Sequence, residues 1–464
     1  MTTRPPQPFG PIPSARQLAW HSHELYGFLH FTVNTFTDRE WGYGDEAPDL
    51  FHPSDFDANQ IVTQAKQGGL KGLILTAKHH DGFCLWPSQH TAHSVLASPW
   101  RAGHGDVVRE IADACHQHGL YFGVYLSPWD RHHAEYGRSA YIDYYRAQLR
   151  ELLTNYGALF EVWFDGANGG DGYYGGAREQ RHIDARSYYD WETTWAMVRS
   201  LQPQAVIFSD AGPDIRWVGN EHGIAADPCW ATLDRDAFAP GLADAAALNH
   251  GQRNGSHWLP AECDVSIRPG WFYHASEDQQ VKTPESLVEL YFQSVGRGAA
   301  LLLNLPPDRR GQIHPTDGAA LQGFHSQLES LFAQPLKGVR ASASNIRGES
   351  TQFAASNVLN DDPESYWCSD DRICSATITL DLGHPQPIGI IDMREYIALG
   401  QRVDGYALDV WAQGSWQEVA QGQAIGARRL VRLPGLVTER VRVRVHGPVC
   451  PALKSMVLYI RPQS

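Results

Sequence analysis

The stretch LFEVWFDGANGG (159–170) joins a run of apolar residues to a carboxylate and a glycine-rich loop. A run this continuous is typical of a strand that is buried on both faces in a parallel sheet. Asp165 closes the run and Gly166 opens the loop. Because barrels of parallel strands carry their chemistry at the carboxyl ends of the strands, Asp165 is the first candidate for a reactive side chain.

Six further apolar runs of the same kind lie on either side of this stretch. They are YGFLHF (26–31), GLILTA (72–77), YFGVYLS (121–127), AVIFSD (205–210), HWLPAEC (257–263) and ALLLNLP (300–306). Helical patterns separate them at 58–69, 106–119, 140–157, 186–202 and 284–298. This alternation predicts a (β/α)8-like, TIM-type barrel over residues 1–335. A doubly wound sheet is the alternative, although no glycine-rich phosphate fingerprint follows the first strand.

The pattern of the chain changes after about residue 335. Four later segments alternate apolar and polar residues between Gly, Pro and Asp turns, namely 375–383, 405–413, 427–435 and 439–447. Alternation of this kind is typical of antiparallel strands with one exposed face. The sequence therefore predicts a second domain, an antiparallel β-sandwich, over residues 336–464.

Composition and charge restrict the partners of the protein. The chain has 464 residues, of which 42% are apolar, and a net charge of −14 without a Lys- or Arg-rich block. These values are typical of a globular protein that binds neither nucleic acid nor an anionic membrane. No stretch approaches the roughly 20 apolar residues of a membrane span. Because residues 1–17 contain no apolar run of a secretory signal, we expect a cytoplasmic protein, or a periplasmic or secreted one if a signal precedes this chain. The seven scattered cysteines are expected to be buried free thiols.

Polar and aromatic side chains follow six consecutive predicted strands. In chain order they are His30, Glu40 and Trp41; Lys78, His79, His80 and Asp81; Trp129, Asp130 and Arg131; Asp165; Asp210, Asp214, Arg216 and Glu221; and Glu262, Asp264, Arg268, Trp271 and His274. A single carboxylate after a strand is often only a helix cap. Six strand ends of this composition instead favour a functional pocket.

The residue types at these ends favour glycoside hydrolysis. Adjacent residues of an extended segment point in opposite directions, so His79 and His80 are not expected to share a metal ion. No Gly-x-Ser-x-Gly motif of a serine hydrolase is present. Carboxylates among aromatic residues are the set that glycoside hydrolysis needs, one to attack the anomeric carbon and one to protonate the leaving oxygen. A metal-dependent hydrolase and an inactive glycan-binding protein are the alternatives.

Specific motifs at the strand ends resemble the family 29 glycoside hydrolases, the retaining α-L-fucosidases. The motifs are FLHFTVNTFTDREWG, AKHHDGFCLW, VYLSPWDRH, VWFDGANG, RWVGNE and SIRPGWFYH, between Tyr26 and Pro307. The resemblance implies that Asp165 is the nucleophile and that Glu221 is the acid/base, with Glu262 as an alternative. The form of SPWDRH, RWVGNE and SIRPGWFYH resembles the subgroup that acts on α-1,3/1,4-linked fucose of Lewis-type branched glycans.

The same resemblance implies a set of substrate contacts. They are His30, Glu40, Trp41, His79, His80, Trp129, Asp214, Arg268 and Trp271. It also implies that the enzyme needs no cofactor and that its partner is a fucosylated oligosaccharide or the glycan of a glycoprotein.

The C-terminal segment resembles discoidin-like, galactose-binding-like sandwiches. The resemblance lies in residues 341–372, which contain the turn NVLNDDPESYW. It implies a structural Ca²⁺ at Asn360, Asp361 and Asp362, because Ca²⁺ takes oxygen ligands. A solvated turn is the alternative, and the domain either binds sugar or only packs on the barrel.

Overall fold

Eight parallel strands close into a barrel in the computed structural model, which describes residues 3–460 apart from Ala243. The strands are β1 (Leu25–Leu29), β2 (Gly72–Lys78), β3 (Tyr121–Leu126), β4 (Glu161–Trp163), β5 (Val206–Ser209), β6 (Ile215–Trp217), β7 (Ala261–Ser266) and β8 (Ala300–Asn304). Their order around the barrel follows the chain, and β8 pairs with β1. The predicted TIM-type barrel is confirmed, and the doubly wound sheet is excluded.

Two details of the barrel differ from the sequence prediction. Strand β6 was not predicted, because it has three residues and follows β5 after a short loop without a helix. The run HWLPAEC at 257–263 is not one strand. His257–Trp258 pairs antiparallel with Thr232–Leu233 outside the barrel, and β7 begins only at Ala261.

Helices pack around the outside of the barrel. The longer ones are Ala58–Gln67, Val107–His118, Ala140–Asn155, Trp191–Leu201, Pro284–Gln293 and Pro315–Phe332, and shorter ones are Ala15–His21, Asn34–Thr37 and Ala245–His250. Asp106 caps its helix by accepting a hydrogen bond from the main-chain N–H of Arg109 at 2.8 Å. The helix Pro315–Phe332 was not predicted, since Gly318 and Gly323 weaken its helical pattern.

Large side chains fill the inside of the barrel. Trp163 stacks on Phe208 with ring centroids 4.0 Å apart, and it also packs against Tyr125 and Phe28. These side chains are buried, so they form a floor across the barrel. The cavity above this floor opens at the carboxyl ends of the strands, where Asp165 lies.

The C-terminal domain is an antiparallel β-domain with its own apolar core. Its strands are β9 (Arg340–Ala343), β10 (Ser375–Glu395), β11 (Gly405–Ala412), β12 (Ser415–Gly422), β13 (Arg429–His446) and β14 (Ala452–Ile460), with the short strand Trp367–Cys368 beside β14. The first half of β10 pairs with β9 and its second half pairs with β14. This arrangement confirms the predicted sandwich. The two segments predicted at 427–435 and 439–447 form the single strand β13.

The beginning of the chain lies on the sandwich, although the sequence prediction assigned it to the barrel. The main-chain N–H of Phe9 donates to the oxygen of Leu399 at 3.0 Å, and the guanidinium of Arg402 donates to the oxygen of Gln7 at 2.9 Å. The N-terminal segment thus contacts the second domain before the chain enters the barrel.

No helix in the described part of the chain is long and apolar enough to cross a membrane. All seven cysteines are free thiols, and all are buried except Cys374, which is half-buried. The expectation of buried free thiols is therefore confirmed for six of the seven.

A buried ionic cluster joins the two domains. The guanidinium of Arg428, on the sandwich, lies 2.6 Å from a carboxylate oxygen of Glu24 on the barrel and 2.7 Å from one of Asp392. It also donates to the hydroxyl of Tyr291 at 2.7 Å. Although burial acts to raise it, Arg428 and Arg394 hold the pKa of Glu24 below its usual value.

Removing the central cation of this cluster is expected to destabilise the protein strongly. Arg428→Ala leaves Glu24 and Asp392 with only the partly exposed Arg394 as a cation, which is expected to cost about 3–5 kcal/mol. Urea unfolding measures the loss. The matched control is Arg432→Ala, which removes an ion pair between the same two domains. That pair is Arg432 with Glu289, with side chains 40% and 52% exposed, so its loss is expected to cost less than about 1 kcal/mol. Equal losses in the two variants would contradict this account of the interface.

The contribution of the cluster also depends on pH. Because the pKa of Glu24 is lowered on folding, its pairing stabilises the protein fully above the ordinary glutamate pKa of about 4.3. The stabilisation is lost as the pH falls through the lowered value. We therefore expect the difference in unfolding free energy between wild type and Arg428→Ala to shrink below about pH 4.

Candidate active site

One cavity opens at the carboxyl ends of the barrel strands. It has a volume of about 230 Å³, below the roughly 300–1,000 Å³ of pockets for drug-sized ligands, which favours a single sugar ring. Eight of the predicted site residues line it, namely His30, Glu40, Trp41, His79, His80, Asp165, Glu221 and Trp271. They come from five different strand ends, so only the closed barrel brings them together.

Asp165 lies two residues beyond β4, at the bottom of this cavity. One carboxylate oxygen accepts a hydrogen bond from the hydroxyl of Tyr125 at 2.9 Å, and the other accepts from the main-chain N–H of Ala167 at 2.7 Å. Burial raises the pKa of Asp165, and these two hydrogen bonds act against that rise. The carboxylate is thus fixed in orientation and poorly solvated, which suits a nucleophile.

Three neutral histidines line the cavity together with this carboxylate. Burial lowers the pKa of His30 and of His80 to about 3, and it lowers that of His79 well below the usual value. Nε2 of His80 lies 3.8 Å from the carboxylate of Asp165, and its Nδ1 lies 2.7 Å from the hydroxyl of Ser127. Neutral imidazoles offer one donor and one acceptor each, which suits the hydroxyl groups of a sugar.

The expectation that His79 and His80 point in opposite directions was wrong. Their rings lie 4.1 Å apart and line the same cavity. Strand β2 ends at Lys78, and the chain turns at His80, so the alternation of an extended strand does not apply to them. Nevertheless, within residues 3–460 without Ala243 there is no group of three or more His, Cys, Asp or Glu side chains that fits a metal ion.

Glu40 is held at one wall of the cavity by the loop that follows β7. Its carboxylate accepts hydrogen bonds from the main-chain N–H of Trp271 at 2.7 Å and of Phe272 at 3.1 Å. The neighbouring Trp41 is 53% exposed and meets the ring of His80 edge-on at 5.2 Å. Trp41 therefore presents a large apolar ring face to solvent, as a residue that stacks on a sugar requires.

Glu221 lies at the mouth of the cavity, on the loop after β6. The indole N–H of Trp271 donates to its carboxylate at 3.1 Å. The side chain is otherwise exposed, whereas Asp165 lies deeper. The two carboxylates thus approach a bound ring from different depths.

The cavity contains further side chains that were not among the expected substrate contacts, although Asp210 and Asp264 had been noted at strand ends. They are Phe28, Tyr125, Trp163, Asp210, Trp217 and Asp264. Burial and the nearby Asp165 raise the pKa of Asp210 to about 6. Burial, together with Glu221 and Glu262, raises the pKa of Asp264 well above its usual value. Tyr125 lies near the carboxyl end of β3 and lines the cavity, and only the alternation of that strand signals it.

Glu262, the alternative acid/base, does not line the cavity. It lies near the amino end of β7, completely buried, and accepts hydrogen bonds from the hydroxyl of Tyr26 and, at 2.8 Å, from the indole N–H of Trp163. The ring of Trp163 belongs to the floor of the barrel. This floor separates Glu262 from the substrate side, so the geometry favours Glu221 over Glu262.

Asp214 and Arg268 were expected near the substrate, and the structure places both elsewhere. Asp214 precedes β6 at the amino end of the barrel, where it pairs with Arg199 and Arg16. Arg268 is fully buried and forms two hydrogen bonds of 2.8 Å with the carboxylate of Asp317. Both side chains are occupied by structural ion pairs.

Trp129 supports the cavity from behind and does not line it. It is 3% exposed, and its ring lies 5.1 Å from His80 and 5.5 Å from Trp41. Its indole N–H donates to the hydroxyl of Tyr174 at 3.0 Å. A direct contact with the sugar was predicted, whereas the structure gives Trp129 the role of packing behind two residues of the wall.

The turn at Asn360, Asp361 and Asp362 holds a lysine where calcium was expected. The ammonium of Lys454 donates to the main-chain oxygens of Ser365, at 3.2 Å, and of Asp362. The side chain of Asn360 donates to the hydroxyl of Ser365 at 3.0 Å. A protein cation therefore occupies this turn, which does not fit the expected Ca²⁺ site.

The cavity is rich in carboxyl groups. Five carboxyl groups line it, from Glu40, Asp165, Asp210, Glu221 and Asp264, and no Lys or Arg is among the described lining residues. Such a site suits a reaction that develops positive charge in a sugar ring, as the oxocarbenium-like transition state of glycoside hydrolysis does. It is unsuited to a phosphorylated substrate.

Comparison with known proteins agrees with this geometry. Residues 13–330 match the family "Alpha-L-fucosidase", and residues 339–452 match the "F5/8 type C domain". The chain is 42% identical over 440 residues to Alpha-L-fucosidase 1 of Arabidopsis thaliana, which covers 94% of this chain and 84% of that protein. This chain belongs to the α-L-fucosidase family.

Solved structures of this family share the fold over the whole chain. A glycoside hydrolase 29 family member from a rumen bacterium is 41% identical, with a TM-score of 0.86 over 99% of this chain and 79% of that one. A Ruminococcus gnavus family 29 fucosidase in complex with fucose is 31% identical, with a TM-score of 0.88 over 99% of this chain and 97% of that one. The family resemblance in the motifs is thus confirmed, and this α-L-fucosidase, like its family, needs no cofactor.

Proposed function

We propose that this α-L-fucosidase is an exo-acting, retaining enzyme that removes α-1,3/1,4-linked L-fucose from Lewis-type branched glycans. Asp165 is the nucleophile and Glu221 is the acid/base. The observation that carries the assignment is the position of Asp165 at the bottom of the cavity, with its carboxylate oriented by Tyr125 and Ala167.

In the first step, Asp165 attacks the anomeric carbon of fucose while the bond to the leaving oxygen breaks. Glu221 gives its proton to that oxygen, and the rest of the glycan leaves through the mouth of the cavity. A covalent fucosyl ester on Asp165 results. The neutral imidazole of His80, 3.8 Å from the nucleophile, does not neutralise the attacking carboxylate.

In the second step, Glu221 acts as a base. Its carboxylate takes a proton from a water molecule, whose oxygen attacks the anomeric carbon and releases Asp165. Fucose leaves with the configuration that it had in the substrate. The exposed position of Glu221 supports this role, because both the leaving sugar and the incoming water must reach it.

The linkage preference rests on the sequence motifs and on the shape of the site. The motifs SPWDRH, RWVGNE and SIRPGWFYH resemble the subgroup that acts on branched glycans. The cavity is the size of one sugar ring and has exposed Trp41 at its rim. An exo-acting enzyme needs such a pocket, and the aromatic rim offers an apolar face to the sugars that flank fucose.

Fucose release from two substrates tests the proposal. We expect rapid release from a Lewis-type trisaccharide and much slower release from an aryl α-L-fucoside at equal concentration. Release from the aryl fucoside alone would retain the fucosidase but overturn the branched-glycan preference. If neither substrate releases fucose, the assignments of Asp165 and Glu221 fall with the proposal.

A further inference from the structure

We propose that His274 is a positioning residue whose imidazolium bridges Glu40 and Asp38 and thereby fixes Glu40 for sugar binding. This inference rests on the proposed function, since it takes Glu40 to be a fucose contact. Nε2 of His274 lies 2.7 Å from one carboxylate oxygen of Glu40, and Nδ1 lies 2.8 Å from one of Asp38. His274 does not itself line the cavity, so it acts only through Glu40.

The bridge completes a set of three donors around Glu40. The main-chain N–H groups of Trp271 and Phe272 supply two, at 2.7 and 3.1 Å, and His274 supplies the third. All three donors belong to the loop after β7. One of them is the main-chain N–H of Trp271, whose ring lines the cavity. A change at His274 is therefore expected to move Glu40 relative to Trp271, two groups that face the same sugar.

The backbone on both sides is built around this contact. Asp38 has φ +61°, a left-handed conformation that is uncommon outside glycine, at the end of the helix Asn34–Thr37. On the other side, a Cβ at Gly270 would come within 2.6 Å of the carboxylate of Glu40 and 3.0 Å of the ring of His274. The loop can approach this closely only because residue 270 is glycine.

The bridge requires a protonated ring. A neutral imidazole carries one N–H, so it can donate to Glu40 or to Asp38 but not to both. Although burial acts to lower it, the hydrogen bonds to Asp38 and Glu40 raise the pKa of His274 above the usual value. The other charged groups that face this cluster are Glu277, which accepts from the N–H of Gly270, and Arg309, 3.9 Å from Asp38. The guanidinium of Arg268 contacts His274 only at its main-chain oxygen.

The pH dependence follows from this arrangement. The bridge is intact below the pKa of His274 and is lost as the pH rises through it, after which one carboxylate faces a ring lone pair. Substrate binding by wild type should then weaken at alkaline pH. α-L-Fucosyl fluoride is the probe, because its leaving group needs little protonation and kcat/KM then reports little of Glu221.

We expect His274→Ala to raise KM for the fluoride about tenfold or more with a smaller change in kcat, since a hydrogen bond to a charged group is lost. The alkaline fall of kcat/KM should disappear in this variant. His274→Gln retains an N–H for Glu40 and should recover most of the KM at all pH values. The matched control is His314→Ala, because Nε2 of His314 lies 3.7 Å from Asp278 and not beside Glu40; its KM should stay unchanged.

Two results would overturn the inference. One is an unchanged KM and an unchanged alkaline limb in His274→Ala. The other is an equal loss in His274→Ala and His274→Gln, which would indicate a purely structural role. NMR of the ring nitrogens in histidine-labelled protein tests the bridge without any turnover. If the wild type proved inactive, that result would count against the proposed function, and the NMR would still test the bridge. Both N–H groups of His274 should persist above about pH 6.5, the ordinary histidine pKa, and their loss below it would overturn the bridge.

Discussion

Replacing Asp165 with alanine is expected to reduce kcat about 10⁴-fold or more, since no covalent intermediate can then form. Binding of a fucosylated trisaccharide should survive, because the histidines, Glu40 and the tryptophans of the wall remain in place. Fucose release measures the first effect and isothermal titration calorimetry measures the second. Added azide should restore part of the turnover and yield the β-fucosyl azide, since the anion attacks from the side that the carboxylate occupied.

Asp210 provides the matched control for this variant. The carboxyl group of Asp210 lines the same cavity. It lies directly beside the loop that carries Asp165, because a Cβ at Gly166 would come within 2.1 Å of a carboxylate oxygen of Asp210. Asp210→Asn keeps the size and the hydrogen bond from the N–H of Gly241. We expect a loss of less than about tenfold in kcat, because the group does not form a bond to the sugar. A large loss at Asp210 with a small loss at Asp165 would contradict the assignment.

Glu221→Ala is expected to slow release from a Lewis-type trisaccharide by about 10²–10⁴-fold, the usual contribution of an acid/base group. The loss should be much smaller for α-L-fucosyl fluoride in kcat/KM, because fluoride leaves with little protonation. Azide should accelerate the second step and yield the α-fucosyl azide, since it attacks the intermediate from the side of the missing base. Fucose release and the stereochemistry of the azide are both read by NMR.

Glu262→Gln is the control for Glu221→Ala, because it removes the carboxylate of a glutamate that does not line the cavity. Glu262→Gln should change stability, because the side chain is buried between Tyr26 and Trp163, and azide should not rescue it. Azide rescue at residue 262 and not at 221 would exchange the two roles.

The fold was predictable because six barrel strands coincide with continuous apolar runs, a pattern set by burial on both faces, and a seventh run at 257–263 overlaps the start of β7. Strand β6 escaped this reasoning, since three residues are too few to show a period and no helix separates them from β5. Pairing of β6 with β5 and β7 closes the barrel. Its existence is thus decided by contacts between distant parts of the chain, not by its own sequence.

The selected side chains reach the cavity wherever a strand end was identified correctly. Asp165, His79 and His80 follow the last residues of β4 and β2, and they line the cavity. Glu262 and Asp214 were placed at carboxyl ends, but they lie at the amino ends of β7 and β6. A shift of a few residues in a strand boundary moves a side chain from one face of the barrel to the other. Arg268 pairs with Asp317 on a helix that was not predicted, so its structural role had no sequence signal.

The most direct test of the account is to trap the intermediate. A 2-deoxy-2-fluoro-α-L-fucosyl fluoride keeps a good leaving group, while its second fluorine slows hydrolysis of the ester, so a fucosyl-enzyme should accumulate. Peptide mass spectrometry of the trapped protein is expected to find the added sugar on Asp165. An adduct on another carboxylate, or an active enzyme that gives no adduct and releases fucose of inverted configuration, would contradict the account.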